Sequence, residues 1–234
     1  MSEKWLLGNM AGCVILLVVV LCLESFTDMD MLVQRRLYDA TTRAWLLDAD
    51  WHARLKPWLY VGPKIFLGVL GVGCVLKLIR FLRKRGKICC PALVLLLSLA
   101  LVPACIAGGK RFTNIYCPYE LREFGGSHVY QRVLSPADPA NRGLARGRGF
   151  PAGHASGGFA LMAFFFSFRS RRGRLMGLVI GLGAGWGMGW YQMIRGAHFL
   201  SHTLFSMVAA WLLICLIVLL VRHCLPSSRV CLHG

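Results

Sequence analysis

Three histidines, one arginine and one lysine stand where apolar runs meet polar loops. His154 follows Pro151-Ala152-Gly153 and opens one apolar block, Arg195, His198 and His202 precede and open another, and Lys110 closes a third. Read as helix, Arg195, His198 and His202 share one face, because spacings of three and four set neighbours within roughly 60° of each other. Imidazole acts as nucleophile, base or acid near neutrality, its unperturbed pKa being ~6.5. Histidines four apart also chelate metal, with His154 as the available third ligand. Lys110 and Arg195 repel a cation, so an anion is the better guest and no metal or other cofactor is assigned. Gly153 lets backbone approach closely, and the helix start after it offers unpaired N–H groups to an anion. Each segment alone also reads as an ordinary interfacial helix start. Together they read as a phosphate site at a membrane surface, since ionisable groups at membrane depth are functional candidates.

The elements that must position these residues are spanning helices. Hydrophobic residues make up 56% of the 234, the mean hydropathy is +0.58, and the apolar residues lie in long blocks. Blocks at about 5–23, 65–80, 88–108, 153–168, 175–193 and 199–221 are each near the length that crosses a ~30 Å hydrocarbon core. The first, with Lys4 alone before it and no small-residue cleavage pattern, reads as a retained helix. Arg80, Arg83, Lys84, Arg85 and Lys87 follow the second block, Arg169, Arg171, Arg172 and Arg174 the fourth, and Arg222 and Arg229 the sixth. Six spans with both termini in the cytoplasm put all these clusters inside, as charge bias requires. Loops 25–63, 109–152 and 194–198 then face outward. The expectation is an all-α polytopic membrane protein, residues 1–234 forming one domain.

A net charge of +17 invites nucleic acid as a partner. The basic residues, however, sit in short clusters between apolar blocks and not along one face, so they read as topology signals and anion ligands. Cys13, Cys22, Cys74, Cys105 and Cys215 lie inside apolar blocks and read as buried thiols, and Cys89-Cys90 lacks a second pair for zinc. Loop 25–63 carries Tyr38, Trp45, Trp51, Trp58 and Tyr60, a composition suited to interfacial helices or to a soluble loop. Its acidic pairs, Asp28 with Asp30 and Asp48 with Asp50, read as solvated carboxylates. Gly177, Gly181, Gly185 and Gly189 repeat every four residues, a face that lets helices pack closely in lipid. Loop 109–152 is long and basic for an outward loop, with Arg111, Arg142, Arg146 and Arg148 among its cations. Phosphate binding explains that excess.

These residues resemble the phosphatidic acid phosphatase type 2 superfamily, membrane lipid phosphatases that share a helical core with vanadium haloperoxidases. The family pattern is a lysine with arginine-proline seven later, then proline-serine-glycine-histidine, then an arginine with histidine six later and aspartate four beyond. Here Lys110 precedes Cys117-Pro118, Pro151-Ala152-Gly153-His154 follows, and His198 and His202 end the third motif. The resemblance covers roughly residues 65–221 and is nearest to bacterial inner-membrane enzymes of the lipid A phosphatase type. Cys117, Ala152, Gln192 and His202 stand where the family has arginine, serine, arginine and aspartate. Arg195 is placed to substitute for the guanidinium lost at Gln192, and Arg111 or Arg148 for that lost at Cys117.

The resemblance implies that His198 attacks phosphorus, His154 protonates the departing oxygen, and Lys110, Arg195 and the Gly153 backbone stabilise the phosphoryl group, without metal. His202 would accept a hydrogen bond from His198, less effectively than a carboxylate, giving lower activity or a higher pH optimum; an alternative register makes His202 the nucleophile. The substrate class is a lipid phosphate or diphosphate met at the periplasmic face of a bacterial inner membrane: lipid A 1-phosphate, undecaprenyl diphosphate or phosphatidylglycerol phosphate. A lipid-to-lipid phosphotransferase and a non-catalytic anion-binding or transport protein are the alternatives. Membrane lipids, and not nucleic acid, are the surroundings; the oligomeric state is not encoded in any pattern here.

Overall fold

A computed structural model describes residues 2–85, 88–225 and 230–231. All six apolar blocks are helical. Helix α1 (Glu3–Phe26) starts where the Ser2 hydroxyl accepts a hydrogen bond from the Trp5 N–H at 3.2 Å. Helix α4 (Gly62–Arg85), α5 (Cys90–Gly109), α6 (Gly153–Ala160), α7 (Arg171–Met193) and α8 (Leu200–Cys224) follow. Four helical stretches, 3–26, 49–84, 90–109 and 200–224, are long and apolar enough to cross a membrane, which makes this a multi-pass membrane protein. The expected fourth span, 153–168, is α6 continued by a tighter 3-10 stretch, Leu161–Ser167. Neither that segment nor α7 is among the four. Lys87 and Arg229, expected to strengthen two basic clusters, lie outside the described residues.

The glycine face of α7 packs against both parts of this segment. A methyl group on Gly181 would stand 2.2 Å from the Met162 nitrogen, on Gly177 2.7 Å from the Phe164 carbonyl carbon, and on Gly185 2.0 Å from the Phe159 ring. Backbone therefore lies on backbone along the α6–α7 seam, a contact only glycine permits. Around it Val102 and Ile106 of α5, Phe159, Met162 and Ala163, and Ile214 and Val218 of α8 form the buried core. Cys13, Cys74 and Cys215 are buried as expected, but Cys22 and Cys105 are on the outer surface of their helices.

The segment between α1 and α4 is more ordered than its composition required. It folds as α2 (Met29–Arg36), a two-residue hairpin of β1 (Tyr38–Asp39) with β2 (Ala44–Trp45), and α3 (Ala49–Lys56), which runs through a π-helical turn, Pro57–Val61, into α4. Pro57 and Pro63 supply no N–H, and Gly62 donates to the Pro57 carbonyl five residues back. At the opposite end of the bundle Ile88–Cys89 (β3) pairs in parallel with Val230–Cys231 (β4).

The acidic pairs are not simply solvated. Asp48 caps α3 by accepting from the Trp51 N–H at 2.8 Å, Asp28 meets Arg132 at 2.6 Å, and Asp30 is buried with 2% of its surface exposed. The long loop 109–152 is anchored to the same segment, since Glu24 accepts from the Val133 N–H at 3.0 Å and Glu123 meets Arg35 at 2.5 Å. Met31, Tyr116, Leu121, Phe124 and Phe199 pack with Tyr38 and Trp45 into a second, largely aromatic core outside the bundle.

Candidate active site

Helix direction brings the candidate residues to one end of the bundle. Helix α5 ends one residue before Lys110, α6 begins at Gly153, α7 ends at Met193 and α8 begins at Leu200. Arg80 to Lys84 end α4, and Arg169 to Arg174 precede and begin α7, so these basic runs stand at the opposite end. Lys110, Arg148, His154, Arg195 and His198 line a single cavity of about 310 Å³.

Each wall has a local cause. A Cβ on Gly153 would stand 3.2 Å from Cε and 3.7 Å from Nζ of Lys110, so glycine leaves room for the lysine to cross the start of α6. Burial holds the Lys110 ammonium below its usual range. Ala152, where the family has serine, provides no side-chain cap for α6, which leaves the first-turn N–H groups without that partner. In Arg146-Gly147-Arg148-Gly149 the glycines lie against backbone: a Cβ on Gly147 would be 2.5 Å from the Ile115 oxygen, and on Gly149 2.7 Å from the Tyr116 oxygen. The extended chain turns alternate side chains the other way, and Arg146 and Arg148 both line the cavity.

Arg146 and Arg148 line the same cavity as Cys117, the position at which the resemblance expects an arginine. Arg111 is exposed and does not line the cavity; the chain turns away directly after α5, with the Arg111 N–H donating to the Gly108 carbonyl at 3.1 Å. Cys117 and Glu120 also line the site. Burial first, then the Glu120 charge, pushes the Cys117 thiol up to about 12, so it faces the cavity neutral.

The helical reading of Arg195, His198 and His202 does not hold. Gly196 has a φ of +72°, and Phe199 is extended as the N-cap of α8, so Arg195 and His198 lie on a loop and only His202 is helical. A Cβ on Gly196 would stand 2.3 Å from the Trp45 ring, which covers this turn. The loop is held from several sides. Gln34 donates to the Met193 carbonyl at 3.0 Å, the Leu47 N–H to the Ile194 carbonyl at 3.1 Å and the Tyr119 N–H to the Gly196 carbonyl at 2.9 Å. Asp30 accepts from the Ser201 N–H at 2.8 Å and from its hydroxyl. Gln192, at the family's arginine position, lines the cavity together with Arg195.

His198 is 2% exposed, and its ring centroid lies 5.9 Å from that of His154. Its Nδ1 is sealed with no hydrogen-bond partner, leaving Nε2 as the nitrogen able to address the cavity. Burial holds its pKa well below the usual histidine range, with Lys110 and the other two imidazoles adding to the effect and the Gly149 backbone opposing it. At neutral pH this is a lone-pair donor. His154 accepts or donates one hydrogen bond, between Nε2 and the Tyr60 hydroxyl at 2.9 Å.

His202 does not partner His198. The ring centroids are 5.9 Å apart, no hydrogen bond joins them, and Nδ1 of each is unpartnered. His202 is instead packed edge-on against Phe150 and Phe199, both at 5.2 Å, behind the cavity and not in its wall. A shared face requires all three side chains to follow one axis, and the break at Gly196 removes that axis. Among the described residues no three His, Cys, Asp or Glu side chains form a group able to hold a metal ion.

Sequence reasoning missed Tyr60, Asp30, Trp45 and Arg146. The arginine–glycine alternation was a usable signal for Arg146. The others are separated from the motifs by up to 171 residues and carry no motif. The profile of the PAP2 superfamily matches residues 91–225. No curated protein and no solved structure matches the chain. Asp30, Trp45 and Tyr60 all lie before the matched region.

Proposed function

Because the chain belongs to the PAP2 superfamily, we propose that it is a membrane lipid phosphatase hydrolysing a phosphomonoester or diphosphate on a lipid. Membership supports phosphatase chemistry on a phosphorylated substrate. The observation that carries the finer reading is the single cavity in which His154 and His198 stand 5.9 Å apart between cations. In this reading His198 Nε2 attacks phosphorus, a P–N bond forms as the ester P–O bond breaks, and His154 gives its proton to the departing oxygen. Water then attacks the phosphohistidine, His154 takes the water proton, and inorganic phosphate leaves with His198 restored. Lys110, Arg146, Arg148 and Arg195 balance the phosphoryl charge throughout, where positioned cations contribute most.

Burial of His198 favours the neutral imidazole that must attack, so nucleophilicity needs no hydrogen-bonded orienter. The role given to His202 from sequence is replaced by packing: Phe150 and Phe199 hold its ring beside that of His198. The site's position opposite the basic runs, together with charge bias, favours the periplasmic face of a bacterial inner membrane. Lipid A 1-phosphate, undecaprenyl diphosphate and phosphatidylglycerol phosphate are the substrates to test. The experiment is phosphate release from each purified lipid, with no acceptor lipid, by the protein and by His198→Ala. Release that His198→Ala abolishes supports hydrolysis; no release from any lipid refutes it.

A further inference from the structure

Lys110, Arg146, Arg148 and Arg195 line the proposed phosphate cavity, and one carboxylate, Glu120, stands among them. A carboxylate beside a phosphate works against binding, because like charges repel. Pairing does not account for its presence, since Glu120 forms no ion pair among the described residues. We infer that Glu120 is a specificity-determining residue, accepting a hydrogen bond from an O–H or N–H group that the substrate carries beside its phosphate. The inference rests on the proposed lipid phosphatase function and narrows its substrate class.

The carboxylate is held in place by its neighbours. Its Oε2 accepts from the Cys117 N–H at 2.6 Å, across the 3-10 turn Pro118–Glu120. The Glu120 N–H donates to the Cys117 carbonyl at 3.0 Å, and the Glu120 carbonyl accepts from the His128 N–H at 2.9 Å. A Cβ on Gly126 would stand 2.1 Å from that carbonyl, so the chain folds back directly on this residue. The Tyr119 N–H donates to the Gly196 carbonyl at 2.9 Å, which ties the same turn to the loop that carries His198. Glu120 therefore keeps a fixed place relative to the proposed nucleophile. A carboxylate offers about four lone-pair sites on two oxygens. The Cys117 N–H takes one, which leaves acceptor capacity in the cavity wall.

The cavity also has room for more than a phosphate. At about 310 Å³ it matches the smaller ligand pockets and takes part of a headgroup as well. Phosphatidylglycerol phosphate carries a hydroxyl on the carbon next to the one that bears phosphate, and lipid A 1-phosphate carries an amide N–H at the corresponding place. Undecaprenyl diphosphate carries neither, and its second phosphoryl group adds charge that Glu120 repels. A site built to accept from a substrate donor rejects an analogue that lacks it, because the acceptor is then desolvated without a partner.

The test uses two pairs of lipids in the same detergent micelles. One is phosphatidylglycerol phosphate and its analogue with hydrogen in place of the hydroxyl; the other is lipid A 1-phosphate and its analogue with hydrogen in place of the amide. Undecaprenyl diphosphate is measured beside them. In whichever pair the wild-type protein hydrolyses, kcat/KM should be about tenfold or more higher for the donor-bearing lipid, the worth of a hydrogen bond to a charged group. Glu120→Gln keeps an oxygen for the Cys117 N–H and removes the charge. It should bring the pair within about threefold and raise kcat/KM for undecaprenyl diphosphate. A wild-type ratio within about twofold, a ratio that Glu120→Gln leaves unchanged, or hydrolysis of undecaprenyl diphosphate alone refutes this inference and leaves the phosphatase reading standing. A purely structural role for Glu120 predicts the unchanged ratio, because it slows both members of a pair equally. If no lipid releases phosphate, or if His198→Ala releases it as fast as wild type, the phosphatase reading fails and this inference with it.

Discussion

The two histidine segments lie in one cavity but are held by different means. The His198 loop is clamped through backbone, by Gln34, Leu47 and Tyr119 on its carbonyls, Asp30 on Ser201 and Trp45 over Gly196. The His154 ring hangs from one hydroxyl. The contrast fits the two tasks proposed for them. A nucleophile must present one lone pair along one line, which favours a rigid, desolvated setting. An acid must change protonation state twice per turnover, which favours a ring held by fewer contacts.

Breaking the clamped side should have the largest effect. His198→Ala should reduce phosphate release by about 10³-fold or more, because the nucleophile and its acid act as a unit; a residual rate within tenfold of wild type would move the nucleophile elsewhere. Gly196→Ala leaves every catalytic group in place but drives a methyl into the Trp45 ring from a left-handed backbone. It should cost about 1–3 kcal/mol of stability and lower kcat by about tenfold or more, read by thermal unfolding beside single-turnover kinetics. Unchanged kinetics would show that the clamp is dispensable.

The clamp also has a pH signature. Burial raises the Asp30 carboxyl to about 6 from 3.8, against the opposing bonds from Ser201. Between those values the folded protein binds more protons than the unfolded one, so this group's contribution to stability falls as pH rises from about 4 to about 6. Asp30→Asn should flatten that part of the unfolding profile, and an unaltered slope would show that Asp30 does not titrate there. On the catalytic side, the depressed pKa of His198 puts the acid limb of kcat/KM below the ordinary histidine value of ~6.5. That is the reverse of the shift expected from a histidine in the aspartate's place.

Smaller effects sharpen the assignments. His202→Asp would set a carboxylate behind His198 Nδ1, which lacks a partner. It should raise turnover a few-fold, about the worth of one charge-assisted hydrogen bond offset by its burial, and a loss of activity would show that the packing of the His202 ring on Phe150 and Phe199 matters more. Arg148→Ala should raise KM about tenfold by removing one phosphate contact, while Arg111→Ala, exposed and outside the cavity, should change it less than about twofold. Equal effects of the two arginine variants would dissolve the distinction drawn between them.

Much of the molecule was legible along the chain, because spanning helices and phosphate motifs both leave local marks. The six apolar blocks were each helical, and the four-residue glycine spacing marked the face on which α6 and α7 meet. His154, His198, Lys110, Arg148 and Arg195, drawn from three separate motifs and one loop, line the same cavity. Errors arose where one residue interrupts a pattern. Gly196 ends the helical register that would have joined Arg195 to His202, and the fourth block passes into 3-10 helix from Leu161.

What the sequence by itself determined is the set of groups and the end of the bundle at which they gather. Hydropathy sets helix length, and alternation of helix direction then carries each motif to the same side. Only the tertiary structure decided how those groups are held. Asp30, Trp45 and Tyr60 act across distances of up to 171 residues, through hydrogen bonds and ring contacts whose partners exist only after the outer segment has folded onto the bundle. Such contacts are specified by position in space, and no spacing along the chain records them.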